Sequence, residues 1–271
     1  MIDVIVLDVD GGTMLDECLA SIRAQTVMPS RLIVFDNGSR EPVAQRAGVV
    51  AHDGKLAAEV YRSETNLGFA GGANAAFQIR TAAYVALINN DVVLDADWLE
   101  QTRDALERDT QLAAVQTIIR GPRGDIDGAG IDISDGTFRQ IGHGKPVGAP
   151  LAVPWGVSAT ATLYRAAALG ERIFEERLFA YYEDVELSAR LRAGGWRMAV
   201  LPVVKATHRG SASASVLGKN ARRLRTRNRY LVARMHRGVG RVGALLWEDA
   251  RLALRGRTSL RGIVEGLCSR L

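Results

Sequence analysis

Four short polar runs stand where apolar stretches end. Asp8 to Gly11 follow residues 3–7, Asp36-Asn37-Gly38-Ser39 follow 32–35, Asn66 to Gly72 follow 59–62, and Asn89-Asn90-Asp91 follow 84–88. Carboxylates and amides offer oxygen acceptors for hydroxyl and imide groups, and carboxylates are natural ligands for a hard divalent cation. Further on, Glu183 and Asp184 stand side by side after Phe179-Ala180-Tyr181-Tyr182. A carboxylate set against aromatic surface has its pKa raised toward useful basicity, the property wanted in a general base. His208 follows the last apolar run, and neutral imidazole suits Mn²⁺ as well as harder oxygen donors suit Mg²⁺. Each feature also has an ordinary structural explanation. Asn-Gly and Asp-Gly form turns, acids in a first helical turn complement the dipole, and a lone histidine is usually structural or solvated.

The elements that must position these groups are an alternation of strands and helices. Residues 3–7, 32–35, 59–62 and 84–88 are short, largely apolar runs, the kind found in a parallel sheet covered on both faces. Leu15, Cys18, Leu19 and Ile22 recur at helical spacing, and Thr13 with Asp16 has capping-box-like spacing, so a helix is expected to open at Thr13. Helices are expected after the Gly-rich run, through about Arg80, and at 97–107, and a strand at 112–119. Residues 121–148, rich in Gly and Asp, read as a hairpin or long loop. A strand at 159–164, a helix at 182–193 and two short strands at 197–201 and 203–207 complete the body. On the 182–193 helix the apolar stripe runs through Leu187 and Leu191, flanked by Glu183 and Asp184, with Glu186 pointing away. In such a sheet ligands bind at the carboxyl ends of the strands, so the polar runs would line one rim.

Composition narrows the class. The 271 residues are 47% hydrophobic and 24% charged, an ordinary globular balance. The charge is unevenly spread: residues 1–204 carry 19 basic and 27 acidic side chains, and 205–271 carry 16 and 3. Lys219 onward reads as basic and helical, with Arg222, Arg223, Arg225, Arg227 and Arg229 crowded together. That surface is expected either to meet an anionic membrane or to pack on the acidic body. Nucleic acid is not expected as a partner, since no helix-turn-helix, zinc spacing or RNP-like aromatic motif is present. No run approaches the ~20 apolar residues of a membrane span, and MIDVIVLDVD lacks the basic start of a signal peptide. With two widely separated cysteines the expected setting is reducing: cytoplasmic, or peripheral on the inner face of the cell membrane. There is neither a GxGxxG fingerprint nor a GxxxxGK[ST] loop, so a nucleotide here would be held differently from NAD or ATP.

The ordered blocks LIVFDNGS, NLGFAGGAN, LINNDVVLDADWL, IFEERLFAYYEDVELSARLRAGGW and THRGSAS resemble family 2 glycosyltransferases of the GT-A fold, in particular the rhamnosyltransferase-like bacterial branch. The resemblance covers roughly residues 2–213. It implies an α/β fold with a mainly parallel central sheet flanked by helices, and leaves 214–271 as a basic helical extension. It implies an inverting transfer of a sugar, with rhamnose one candidate, from a UDP- or dTDP-sugar to a hydroxyl of a glycan or polyprenyl-linked acceptor in cell-surface polysaccharide synthesis.

By that resemblance Asp36 accepts a hydrogen bond from the N3–H of a uracil or thymine ring, and Asp8, Asn37, Asn66, Gly71, Asn89 and Asn90 belong to the nucleotide-sugar site. Asp91 matches the second carboxylate of the family's Asp-x-Asp motif and would hold Mg²⁺ or Mn²⁺ on the donor diphosphate; His208 would complete the metal site. Asn89 replaces the first carboxylate of that motif, which weakens the case for metal. Asp184 is the implied general base, and Glu183 orients it or touches the acceptor. Two other readings compete. A sugar nucleotidyltransferase would carry a basic Gly-rich loop after the first strand, where VDGGTMLDE has no Lys or Arg. A catalytically degenerate nucleotide-binding or membrane-adaptor protein of the same fold would explain Asn89 but not the intact Glu183–Asp184 pair.

Overall fold

The structure is a computed structural model describing residues 1–46, 49, 56–210, 218–236 and 238–269. Strands β1 (Ile2–Asp8), β2 (Arg31–Asn37), β3 (Ala58–Ser63) and β4 (Tyr84–Asn89) pair in parallel in the order β3-β2-β1-β4. Helix α1 (Thr13–Arg23) links β1 to β2, and α2 (Gly68–Gln78) links β3 to β4. Beyond β4 the direction changes. β10 (Ala161–Arg165) lies antiparallel between β4 and β6 (Leu112–Arg120). β11 (Arg197–His208) runs parallel to β6, and β5 (Val92–Leu94) closes that side against β11. The short strand β7 (Ile126–Gly128) hangs from β6, and β8 (Ile131–Asp132) pairs with β9 (Arg139–Gln140). The hairpin-rich character expected for 121–148 is thus realised as three short strands. The sheet is mainly parallel on one half and mixed on the other.

Alternation along each strand builds two cores. Val4, Val6, Leu32, Val34, Ala86 and Ile88 face α1 and α3 (Trp98–Arg108), where Leu15, Leu19, Ile22, Trp98 and Leu99 are buried against them. Ile5, Leu7, Ile33, Phe35, Val85 and Leu87 face the other way, onto Phe77 of α2 and Leu187 and Leu191 of α5 (Glu183–Ala193). Each such aliphatic side chain contributes about 1.5–3 kcal/mol on burial, which is why these strands tolerate almost no polar residue before their tips.

Two expected details differ. Helix α1 is capped at Gly12, whose φ of 59° glycine tolerates, so Thr13 is already helical and makes no capping hydrogen bond. The segments at 197–201 and 203–207 form one strand, β11. Pro202 offers no N–H to the ladder, and the register slips between Leu201 and Val204, absorbing it as an irregularity rather than ending the strand.

After the one-turn helix α4 (Ala166–Leu169), which follows β10, and α5 and β11, the chain ends in α6 (Lys219–Met235), α7 (Val242–Ala253) and α8 (Leu260–Cys268). The expected boundary at 213/214 lies outside the described residues. Leu231 and Val232 of α6 share a core with Ile131, Leu178 and Val185. Much of the arginine cluster is spent inside the protein: Arg223 pairs with Glu265 at 3.0 Å, and Arg229 pairs with Glu248 at 2.7 Å and with buried Asp249. Tyr230 and Thr258 also donate to Asp249, each at 2.5 Å.

Candidate functional site

Parallel register brings the strand tips together: Asp8 stands opposite Asp36, and Leu7 opposite Asn89. Their polar groups bind one another. Buried Asp8 accepts from Asn90 Nδ2 at 2.5 Å and from Gly11 N at 3.3 Å; burial raises its pKa above the usual carboxylate range, against these bonds. Gly11 is required here, because a Cβ would sit 2.1 Å from Asp8 Oδ1 and 2.4 Å from Asn90 Nδ2.

Asp36 is fully buried. One oxygen accepts from Ser39 N at 2.9 Å, and the other from Val43 N at 3.1 Å and from Arg62. Burial pushes its pKa up, but these donors outweigh burial and hold it below the usual range. Three donors occupy three of the roughly four lone-pair directions of this carboxylate, leaving one on Oδ1 for a further donor. Asn37 ties the third tip in place: its Oδ1 accepts from Leu67 N at 3.0 Å and its Nδ2 donates to Gly68 O at 3.0 Å and Asn66 Oδ1 at 3.3 Å. Asn66 Oδ1 also accepts from Gly68 N at 2.8 Å. Gly71 lies in the first turn of α2, where an added Cβ would press on Leu67 at 3.1 Å.

Beyond β4 a cavity of about 410 Å³ opens between two walls. Asn89, Asp91 and His208, from the ends of β4, β5 and β11, line one; Glu183 and Asp184, at the start of α5, line the other. Asp8, Asp36, Asn37, Asn66, Gly71 and Asn90 are not among its lining residues; they form the network at the neighbouring tips. His208 lies between two carboxylates, with Nε2 3.1 Å from Asp91 Oδ2 and Nδ1 2.9 Å from Asp127 Oδ2. Burial opposes the imidazolium charge, and the two carboxylates overcome it, lifting the pKa to about 10.

Asp127 of β7 is a member of this group that the sequence does not single out. It sits in the Gly- and Asp-rich stretch where several acids look alike. No group of three or more His, Cys, Asp or Glu side chains among the described residues is disposed to hold a metal ion. The donor types still fit a cation that takes most of its ligands elsewhere: Asp91 and His208 face each other, and the buried Oδ1 of Asn89 has no hydrogen-bond partner among the described residues. Mg²⁺ commonly needs only one or two protein ligands when phosphates supply the rest.

The opposite wall is strained. Phe179, Tyr181 and Tyr182 have φ of 63°, 75° and 69°, a left-handed region costing non-glycine residues about 1–2 kcal/mol each. Their carbonyls are held from outside. Buried Asn228 of α6 directs its amide at the carbonyls of Leu178, Ala180 and Tyr181, at 2.7–2.8 Å. Arg227 donates to the carbonyls of Arg177 and Leu178 at 2.6 and 3.2 Å, and Phe179 O accepts from Ala70 N at 3.0 Å. Helix α6 therefore clamps the loop that presents the carboxylates.

Glu183 is buried, and its Oε2 has no hydrogen-bond partner among the described residues. Asp184 reaches the cavity half-buried, with Oδ1 accepting from Val185 N at 2.8 Å. Burial raises both pKa values, and the nearby Asp184 charge raises Glu183 further. Glu186 does not point away into solvent. It is buried, paired with Arg190 at 3.3 Å and with His236, the residue that caps the end of α6, at 3.1 Å, because α6 covers the helix face that the stripe pattern leaves polar.

Residues 4–169, more than half of the chain, match the family model described as glycosyl transferase family 2. A curated relative, the N-acetylglucosaminyl-diphospho-decaprenol L-rhamnosyltransferase of Mycobacterium tuberculosis, is 25% identical over 236 residues, 77% of this chain and 76% of that protein. Among solved structures, TarS 1–349 of S. aureus in complex with UDP-GlcNAc superimposes with a TM-score of 0.61 at 19% identity, over 86% of this chain and 64% of that one. GalNAc-T7 with UDP, GalNAc and Mn²⁺ gives 0.65 at 12% identity, over 86% of this chain and 47% of that one. The chain thus spans less than two thirds of either structural neighbour, and these likenesses speak to the fold.

Proposed function

Because the chain belongs to glycosyl transferase family 2 and is a glycosyltransferase, we propose that it transfers a sugar, rhamnose being one candidate, with inversion at the anomeric carbon, from a UDP- or dTDP-sugar to a hydroxyl of a glycan or lipid-linked glycan. The observation carrying this reading is the single cavity in which Asn89, Asp91 and His208 face Glu183 and Asp184. Asp184 takes the proton of the acceptor hydroxyl as that oxygen bonds to the anomeric carbon. The bond from that carbon to the nucleoside diphosphate breaks on the opposite face. Its raised pKa matches Asp184 to proton transfer near neutrality. Glu183, buried and raised further, is kept uncharged over a wider range and so does not compete for the proton.

Asp91, and His208 on release of the proton it holds between its two carboxylates, are the residues that would hold Mg²⁺ or Mn²⁺, which would supply neutralising charge at the departing diphosphate. Asp8 and Asn90 brace the β4 tip, while Asp36, Asn37, Asn66 and Gly71 shape the nucleoside end. The curated relative's name specifies a diphospho-decaprenol acceptor, and we extend that class to this chain: a sugar on a polyprenyl diphosphate.

Such an acceptor would be met at the inner, anionic membrane surface. Supporting this, α7 and the turn after it expose Leu246, Trp247 and Leu254, and α8 exposes Leu260 and Val264, with Arg251, Arg255 and Arg261 beside them. Among the described residues no helix is long and apolar enough to cross a membrane.

Thermal unfolding with UDP, dTDP, GDP and ADP, each with and without Mg²⁺ or Mn²⁺, tests the reading. A pyrimidine diphosphate at a hundredfold over its Kd should stabilise by about 2.7 kcal/mol, more with metal. No response to any nucleotide would favour a degenerate member of the fold.

A further inference from the structure

Of the arginines that crowd α6, one differs in what it touches. Arg223 and Arg229 are paired with Glu265, Glu248 and Asp249, and Arg227 is engaged by backbone carbonyls. Arg225 lines the cavity, and no carboxylate lies within ion-pair distance of it among the described residues. Its guanidinium stacks over the ring of Tyr181, 4.3 Å from the centroid. Stacking occupies the flat face of a guanidinium and leaves its N–H edge free for a planar or tetrahedral anion. Tyr181 lines the same cavity, and its buried hydroxyl has no hydrogen-bond partner among the described residues.

We propose that Arg225 and Tyr181 form an anion subsite on the acceptor wall, taking the diphosphate that joins the acceptor sugar to its lipid. Three observations set its place. Tyr181 stands two residues before Glu183, on the wall of the base rather than that of Asp91 and His208. The lining carries the charge of Asp184, and its other cations, Arg139 and His208, are already paired with Asp135 and Asp91, so an anionic acceptor arriving beside Asp184 needs a further cation. Asn228, one turn further along α6, fixes that helix to the carbonyls of Ala180 and Tyr181, so Arg225 is presented by the same contact that shapes the loop. A diphosphate could equally come from the donor; the geometry favours the acceptor, and the experiment separates the two.

The subsite rests on the transferase reading above and is tested by binding rather than turnover. The full chain, saturated with UDP and Mn²⁺, is titrated with N-acetylglucosaminyl-diphospho-farnesol and with the neutral octyl glycoside of N-acetylglucosamine, in wild type, Arg225→Gln and Arg225→Lys. Loss of a charge-assisted contact should weaken the diphosphate ligand about 10- to 100-fold in Arg225→Gln, with Arg225→Lys recovering part of it. The neutral glycoside should bind both variants as it binds wild type. Equal loss for both ligands, or unchanged diphosphate affinity, overturns the proposal. A weakened UDP affinity in place of the acceptor effect would assign Arg225 to the donor. Should wild type bind UDP but not the diphosphate ligand, the subsite fails and the transferase reading stands; should it bind no UDP, the transferase reading itself fails.

Discussion

The rim of strand tips beside the cavity and the α5 wall of the cavity are built on opposite principles. At the tips of β1, β2 and β4 nearly every polar group is answered by a near neighbour in the sheet: Asp8 by Asn90, Asp36 by Ser39, Val43 and Arg62, Asn37 by Asn66 and Gly68. That rim is finished by the parallel sheet itself. The α5 wall is not. Three left-handed tyrosine and phenylalanine residues precede it, Glu183 keeps an unanswered oxygen, and the loop's carbonyls depend on Asn228, 47 to 50 residues away in the sequence. Strain of this kind persists only where surrounding structure over-determines it. Helix α6 thus supports the wall that carries Glu183 and Asp184 as well as forming part of the surface.

Replacing one amide on each side separates the two most visibly. Asn228→Ala strips Leu178, Ala180 and Tyr181 of a shared donor and should destabilise by about 2–4 kcal/mol, given ~1–3 kcal/mol for each buried group left unpaired. It should also lower kcat while leaving UDP affinity close to wild type. Asn37→Ala should do the reverse, weakening UDP with a smaller loss of stability. Denaturant melts and UDP titrations on both variants check this; equal profiles would mean that the rim and the wall are not separately supported.

The sheet and its rim were legible in the sequence because they follow from short-range rules. Apolar runs predict covered strands, and the parallel arrangement sends Asp8, Asp36 and Asn89–Asp91 to one edge. The pair Glu183–Asp184 was legible because FAYY announces an apolar setting. Asn228 was not: within RTRNRY it reads as one more polar residue of a basic helix, and only the docking of α6 shows what its amide meets. The same docking explains Glu186, which helical periodicity sends outward and His236 draws into the interior. Asp127 escaped because its partner, His208, lies 81 residues away.

A smaller effect sharpens the contrast electrostatically. The Glu183 pKa is raised, so the native state holds a proton there that the unfolded chain releases at lower pH. Its stabilising contribution is present at acid pH and is lost as pH rises from the ordinary glutamate range through the raised native value. Glu183→Gln removes that dependence. The variant should gain on wild type in unfolding free energy as pH increases, by roughly 1–3 kcal/mol once the wild-type carboxylate is charged and unpaired, read from denaturant melts across pH. A constant difference across pH 5–9 would show that Glu183 is solvated as an ordinary carboxylate.

Asp184 is the proposed base of this cavity, and the strand-tip rim beside it the proposed separate binding surface. The measurement is Asp184→Asn, with nucleotide release from UDP- and dTDP-sugars and UDP affinity recorded on the same preparation. The account predicts a fall in turnover of at least about a hundredfold, the usual worth of a positioned base, with UDP affinity changed less than twofold. Turnover near wild type, or a fall matched by equal loss of UDP affinity, would contradict it.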